Sequence, residues 1–144
     1  MNNKTYILHI CIMLLIFSIN TSSCNNSNKI EQIHNEKNAK GHLEIDSSKY
    51  SFGIVHKSNQ KNILCSFNLK NTGAKLLVIQ KIDASCGCVS IRSYPKVIEP
   101  NESKTLYVEI STERQFGVFN KVIFINSNAD NPLELVRIKG EIQE

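Results

Sequence analysis

Ile63-Leu64-Cys65-Ser66-Phe67-Asn68-Leu69-Lys70-Asn71-Thr72-Gly73 is the stretch on which the fold turns. Ile63, Cys65, Phe67 and Leu69 alternate with Leu64, Ser66, Asn68 and Lys70, a period of two that places one apolar face along an extended chain. Asn71-Thr72-Gly73 then marks a turn, since Asn and Gly tolerate positive φ. Working outward, Tyr50-Ser51-Phe52-Gly53 reads as a short first strand, and Leu76 to Ile82 carries an apolar run suited to a buried one. Leu106, Val108 and Ile110 alternate with Tyr107 and Glu109. Val122 to Ile125 is again densely apolar, and Val136, Ile138 and Ile142 share a face of the last strand. Glu99-Pro100-Asn101 and Asn128 to Pro132 supply turns between them.

Short strands at this spacing, with no helical period between them, argue an all-β immunoglobulin-like sandwich of about seven strands over residues 47–144. An open barrel is the other architecture of that size. The antibody version needs a Cys pair bridging the sheets over a Trp. Cys65 has no such partner near Val118 to Asn126 and the chain has no Trp, so Cys65 reads as a buried structural thiol.

Upstream the chain changes character. Lys4 precedes a stretch from Tyr6 to Ile19 that is apolar except for His9 and Ser18, the pattern of a secretory signal peptide over residues 1–23. It falls short of the ~20 apolar residues that span a bilayer. Thr21-Ser22-Ser23-Cys24 resembles the bacterial lipobox, with Thr21 where Leu is usual, and implies acylation of Cys24. Ordinary secretion and an uncleaved anchor are the competing readings. Residues 24–46 are rich in Asn, Lys and Glu with isolated apolar residues, including Leu43 and Ile45. Such a tract reads as a disordered tether with an end-to-end distance of roughly 25 Å. His34 and His42 fall in it and read as solvated. The expected location is therefore a cell-envelope membrane, with the domain facing periplasm or exterior.

The 144 residues carry 17 Lys and Arg against 13 Asp and Glu, spread singly. Nucleic-acid binding needs clustered charge, so that class is set aside. No phosphate loop, His-Glu-x-x-His or Gly-x-Ser-x-Gly is present, so no catalytic residue, cofactor or small-molecule substrate is assigned. One constellation carries chemistry: Cys86-Gly87-Cys88. Residues i and i+2 of a strand lie about 6.6 Å apart, near the upper limit for a disulfide, and a positive φ at Gly87 would draw them together. A bridge closing so small a ring would be strained and relatively easy to reduce. A local structural element, a redox pair, and a soft-metal site of Cys86 and Cys88 with His56 all remain open. His56 is the one His of the expected domain, in the turn after its first strand.

From about Leu43 to Gln143 the chain resembles the bacterial family called domain of unknown function 1573. The resemblance rests on Phe52-Gly53, the run Phe67 to Gly73, Leu77-Val78-Ile79, Ala84-Ser85-Cys86-Gly87-Cys88 and Ile98-Glu99-Pro100. It continues in Gly117 to Lys121, Ser127-Asn128, Asn131-Pro132 and Ile138-Lys139-Gly140. Asn101 departs from the family, whose turn has Gly there. The resemblance implies an immunoglobulin-like sandwich, often exported or lipid-anchored, related in architecture to non-catalytic sperm-protein and cilia-associated modules. Cys86, Gly87 and Cys88 match its signature position by position, and no activity is implied. The expected role is a non-catalytic envelope module with a protein partner; the rival is thiol-based copper or redox work.

Overall fold

The computed structural model describes residues 40–144; the expected signal peptide, Cys24, His34 and most of the expected tether lie outside them. The described chain is all-β. Its nine strands are β1 (Leu43–Ile45), β2 (Lys49–His56), β3 (Asn62–Asn71), β4 (Leu77–Ala84), β5 (Val89–Ser93), β6 (Val97–Ile98), β7 (Ser103–Ser111), β8 (Gly117–Ser127) and β9 (Leu133–Gln143). Two sheets face each other, one ordered β1-β3-β7-β5 and the other β2-β9-β8-β4-β6. Pairing is antiparallel except between β2 and β9, which run parallel.

Strand alternation builds the core. Ile63, Cys65, Phe67 and Leu69 of β3 and Leu106, Val108 and Ile110 of β7 point inward from one sheet. Ile123 and Ile125 of β8 and Val136, Ile138 and Ile142 of β9 meet them from the other. Burying each such side chain contributes about 1.5–3 kcal/mol. The dense run Val122 to Ile125 resolves into alternation too, with Phe124 on the outer face.

Two sequence expectations are corrected. The sandwich has nine strands rather than about seven, and it begins before residue 47. Leu43 and Ile45, read as isolated residues of the tether, form β1 against Asn71 and Leu69, and Leu43 is buried. A three-residue strand has no period to detect; only its partner 24 or more residues away makes it one. His42 is exposed, as a solvated side chain should be, and its Nδ1 lies 2.6 Å from Asp130 Oδ1. That contact holds the Asp130 carboxyl below its ordinary value.

A buried amide organises the end at which the described chain enters. Asn71 is fully buried. Its Oδ1 accepts the His42 N–H at 3.2 Å and the Gly73 N–H at 3.0 Å. Its Nδ2 donates to the Lys75 carbonyl at 2.8 Å and the Ile98 carbonyl at 3.0 Å. Nearby, Asn131 accepts the Leu43 N–H and donates to the Leu43 carbonyl, imitating a strand neighbour for β1. Asn128 does the same for β4, accepting from Val78 N–H and donating to the Leu76 carbonyl.

The turn after β3 needs Gly for a different reason from the expected positive φ, which neither Asn71 nor Gly73 adopts. A Cβ on Gly73 would overlap the backbone of Lys40 to His42, which packs directly on it. At Glu99-Pro100-Asn101, in contrast, the expectation holds: Asn101 has φ 63° and the Glu102 N–H closes the turn on the Glu99 carbonyl. That is the residue order of a type II turn, where Asn substitutes for Gly.

Truncating Asn71 to Ala strands four backbone groups, that of Ile98 buried and those of His42, Gly73 and Lys75 partly buried, and a buried group left unpaired carries a penalty of about 1–3 kcal/mol. Asn71→Ala should therefore lower unfolding stability by about 3–5 kcal/mol with an unchanged denaturant slope, checked by urea titration. A second test addresses Phe52, whose ring lies over Gly140 and edge-on to Phe119 at 5.5 Å between centroids. Gly140→Ala should destabilise by about 1–3 kcal/mol. The loss should be non-additive with Phe52→Ala, because the smaller side chain removes the overlap.

Burial pushes the Cys65 thiol up to about 11, from an ordinary value of 9.0. The folded state thus holds a proton that the unfolded state releases. Stability from this group is complete below pH 9 and declines as pH rises toward 11. A pH series of urea melts should show this decline, and Cys65→Ala should flatten it.

Candidate functional site

At the opposite end the chain must change sheets. β4 belongs to the five-stranded sheet and β5 to the four-stranded one, with only Ser85, Cys86, Gly87 and Cys88 between them. Ser85 fixes the exit: its N–H donates to the Val122 carbonyl, and its Oγ accepts the Val122 N–H at 2.9 Å. The Ser111 N–H fixes the entry by donating to the Cys88 carbonyl at 2.9 Å.

Between these anchors Cys86 and Cys88 are joined in a disulfide, with their Cα atoms 5.3 Å apart. The expected positive φ at Gly87 is absent. The approach comes instead from a tight bend closed by the Val89 N–H on the Cys86 carbonyl. Gly87 is exposed, and both cysteines lie half-buried at the edge of the core. The Cys88 N–H points at Cys86 Sγ, 3.3 Å away.

Such a bridge is a weak staple. Loop-closure entropy grows with the number of residues enclosed, so a three-residue ring yields about 1–2 kcal/mol against about 3 for a loop of about 15 residues. The crossover already has its own hydrogen bonds on both sides.

Beside the disulfide lies an open cleft of about 430 Å³, lined by Gly87, Cys88, Ser111, Glu113, Arg114 and Gln115. Glu113 and Arg114 belong to the β7–β8 connection, whose Phe116 is one of the most exposed apolar side chains of the domain. Among the described residues Arg114 makes no ion pair. The sequence had marked the two cysteines; the cleft residues carried no local signal, because only the pairing of β7 with β5 brings them there.

His56 does not join the cysteines. It ends β2 rather than lying in a turn, and its Nδ1 is 3.1 Å from the Glu144 carbonyl oxygen. β9 and β8 stand between β2 and β4, so about 14 Å of lateral strand spacing separates them. In the disulfide form the sulfurs offer no thiolate for a soft metal. Among the described residues no three His, Cys, Asp or Glu side chains gather as a ligand set.

Residues 43–142 match the sequence profile of the family described as "Protein of unknown function (DUF1573)". The chain belongs to this family. Its fold recurs in a crystal structure of a protein of unknown function from Porphyromonas gingivalis W83, at 18% identity and TM-score 0.63. That match covers 70% of this chain and 46% of the other, so the chain spans about half the length of that relative. The ASH/PapD-like domain 7 of human CEP192 aligns at TM-score 0.59 and 9% identity, over 73% of this chain and 87% of that one. The Vibrio cholerae VesB protease aligns at TM-score 0.55 and 14% identity, over 80% of this chain but only 35% of its own. No curated protein matches by sequence. At these identities the likeness is one of fold: DUF1573 members share a sandwich with proteins of quite different work.

Proposed function

We propose that this DUF1573 protein is a non-catalytic envelope module, anchored through lipidated Cys24, that meets a protein partner at the end of the sandwich far from its anchor. One observation carries the reading. The described chain enters at the end organised by Asn71, Asn128 and Asn131, whereas exposed Phe116 and the Cys86–Cys88 crossover occupy the opposite end. A domain held at its entry end presents the other end outward. Loops on a rigid scaffold are the usual place for recognition, and an exposed aromatic is an effective anchor for it.

Two measurements test the two halves. Palmitate labelling should disappear in Cys24→Ala; label that persists would refute lipidation at that residue. A photo-reactive phenylalanine analogue at position 116, in intact cells, should yield a discrete protein adduct. The same analogue at position 64, equally exposed on the outer face of β3, should yield none. Identical adducts from both positions, or none from position 116, would reject the assignment of the binding end.

A further inference from the structure

The cysteine crossover holds more than a contact surface needs. Three independent features converge there. The disulfide encloses a single residue and adds little to a crossover already pinned by Ser85 and Ser111. A cleft opens directly on Cys88. The Cys88 N–H donates to Cys86 Sγ, which stabilises a thiolate on Cys86 rather than on Cys88.

The geometry points to an exchangeable disulfide: an incoming thiolate enters through the Ser111–Gln115 cleft and attacks Cys88 Sγ, with Cys86 as the leaving sulfur. In the first step the new bond joins the thiolate sulfur to Cys88. The Cys86–Cys88 bond breaks, and its electron pair stays on Cys86 as a thiolate held by the Cys88 N–H. In the second step another thiolate attacks the incoming sulfur, forming the outside disulfide and releasing Cys88 as a thiolate. Two outside thiols are oxidised and the Cys86–Cys88 pair is reduced. The protons of those thiols balance the two protein thiolates. The oxidant is the chain's own disulfide, so the reaction is a stoichiometric exchange.

The ligand class is a thiolate, whether on a small molecule or on a protein cysteine. Attack at sulfur favours a site with an accessible electrophilic sulfur and a stabilised leaving thiolate. Charge at the cleft tunes the approach: Arg114 attracts an anion and Glu113 repels it. Both effects are screened by salt. Cys65, buried and with its thiol pushed up to about 11, stands outside this chemistry.

The test uses the full chain in detergent, with reduced glutathione and, separately, a peptide carrying two cysteines. Alkylation and peptide mass mapping read Cys86 and Cys88 apart from Cys11, Cys24 and Cys65. In millimolar glutathione the pair should reach a reversible mixture of oxidised and reduced forms while the β-sheet circular dichroism stays native. Arg114→Ala should slow the exchange several-fold and Glu113→Ala should speed it. Acid-quenched early in the reaction, the wild-type chain should carry glutathione as a mixed disulfide on Cys88, with Cys86 as the free thiol.

A pair that remains oxidised, or that is reduced only as the protein unfolds, overturns the proposal and leaves a structural loop. Exchange indifferent to Arg114 and Glu113, or a mixed disulfide trapped on Cys86, overturns the cleft as the entry. Exchange with glutathione alone assigns a small thiol, and exchange with the peptide assigns a protein client. None of these readouts depends on lipidation or on adducts at position 116, so failure here leaves the docking reading standing, and the reverse.

Discussion

The side-chain amide of Asn71 is the interaction on which the entry end of the sandwich depends. It sits fully buried, and both its polar atoms are spent on backbone groups of segments far apart in sequence: His42, Gly73, Lys75 and Ile98. In a low-dielectric interior a satisfied network of this kind specifies one arrangement, because any shift leaves several unpaired groups at once. The Asn71 backbone extends the network, donating to the Glu102 carbonyl and accepting the Asn101 N–H. The first strand, the turn after β3 and the turn before β7 are thereby locked to one residue. Gly73 is the steric counterpart, leaving room for the backbone of Lys40 to His42.

Asn128 and Asn131 repeat the principle from the β8–β9 connection, Asn131 for β1 and Asn128 for β4. Each offers one acceptor and one donor to a strand that would otherwise end with unpaired groups, as an extra strand would. Asparagine suits this task because its amide reproduces the donor and acceptor of a peptide group. Three asparagines thus close one end of the sandwich with few residues. The opposite end is closed differently. There the chain changes sheets in four residues, and a disulfide, a cleft and exposed loops share the space. One end is a polar clasp and the other holds the disulfide and its cleft.

Legibility in the sequence followed the range of the forces involved. β3 and β9 could be read directly, since each has ten or more residues with a strict inward set. The inward placement of Cys65 came from the same period. β1 and β6, with three and two residues, could not be read, for they exist as strands only through partners supplied by β3 and β4. The start of the domain was misplaced for that reason. The Gly73 and Gly87 readings assumed backbone conformation where the deciding factors were close packing and a hydrogen-bonded bend.

What the sequence by itself determined is whatever covalent proximity and strand period control. The all-β class, the inward-facing residues and the reach of Cys86 to Cys88 across one glycine follow from neighbours along the chain. Tertiary structure alone decided where those cysteines stand: at the crossover between sheets, beside Arg114 and Glu113, and away from His56. It also decided that the Cys88 N–H faces Cys86 Sγ, which distinguishes two sulfurs that the symmetric Cys-Gly-Cys leaves equivalent. The physical reason is that register and strand order arise from contacts tens of residues apart. A local pattern can name reactive groups, and only the packed sheets set their surroundings.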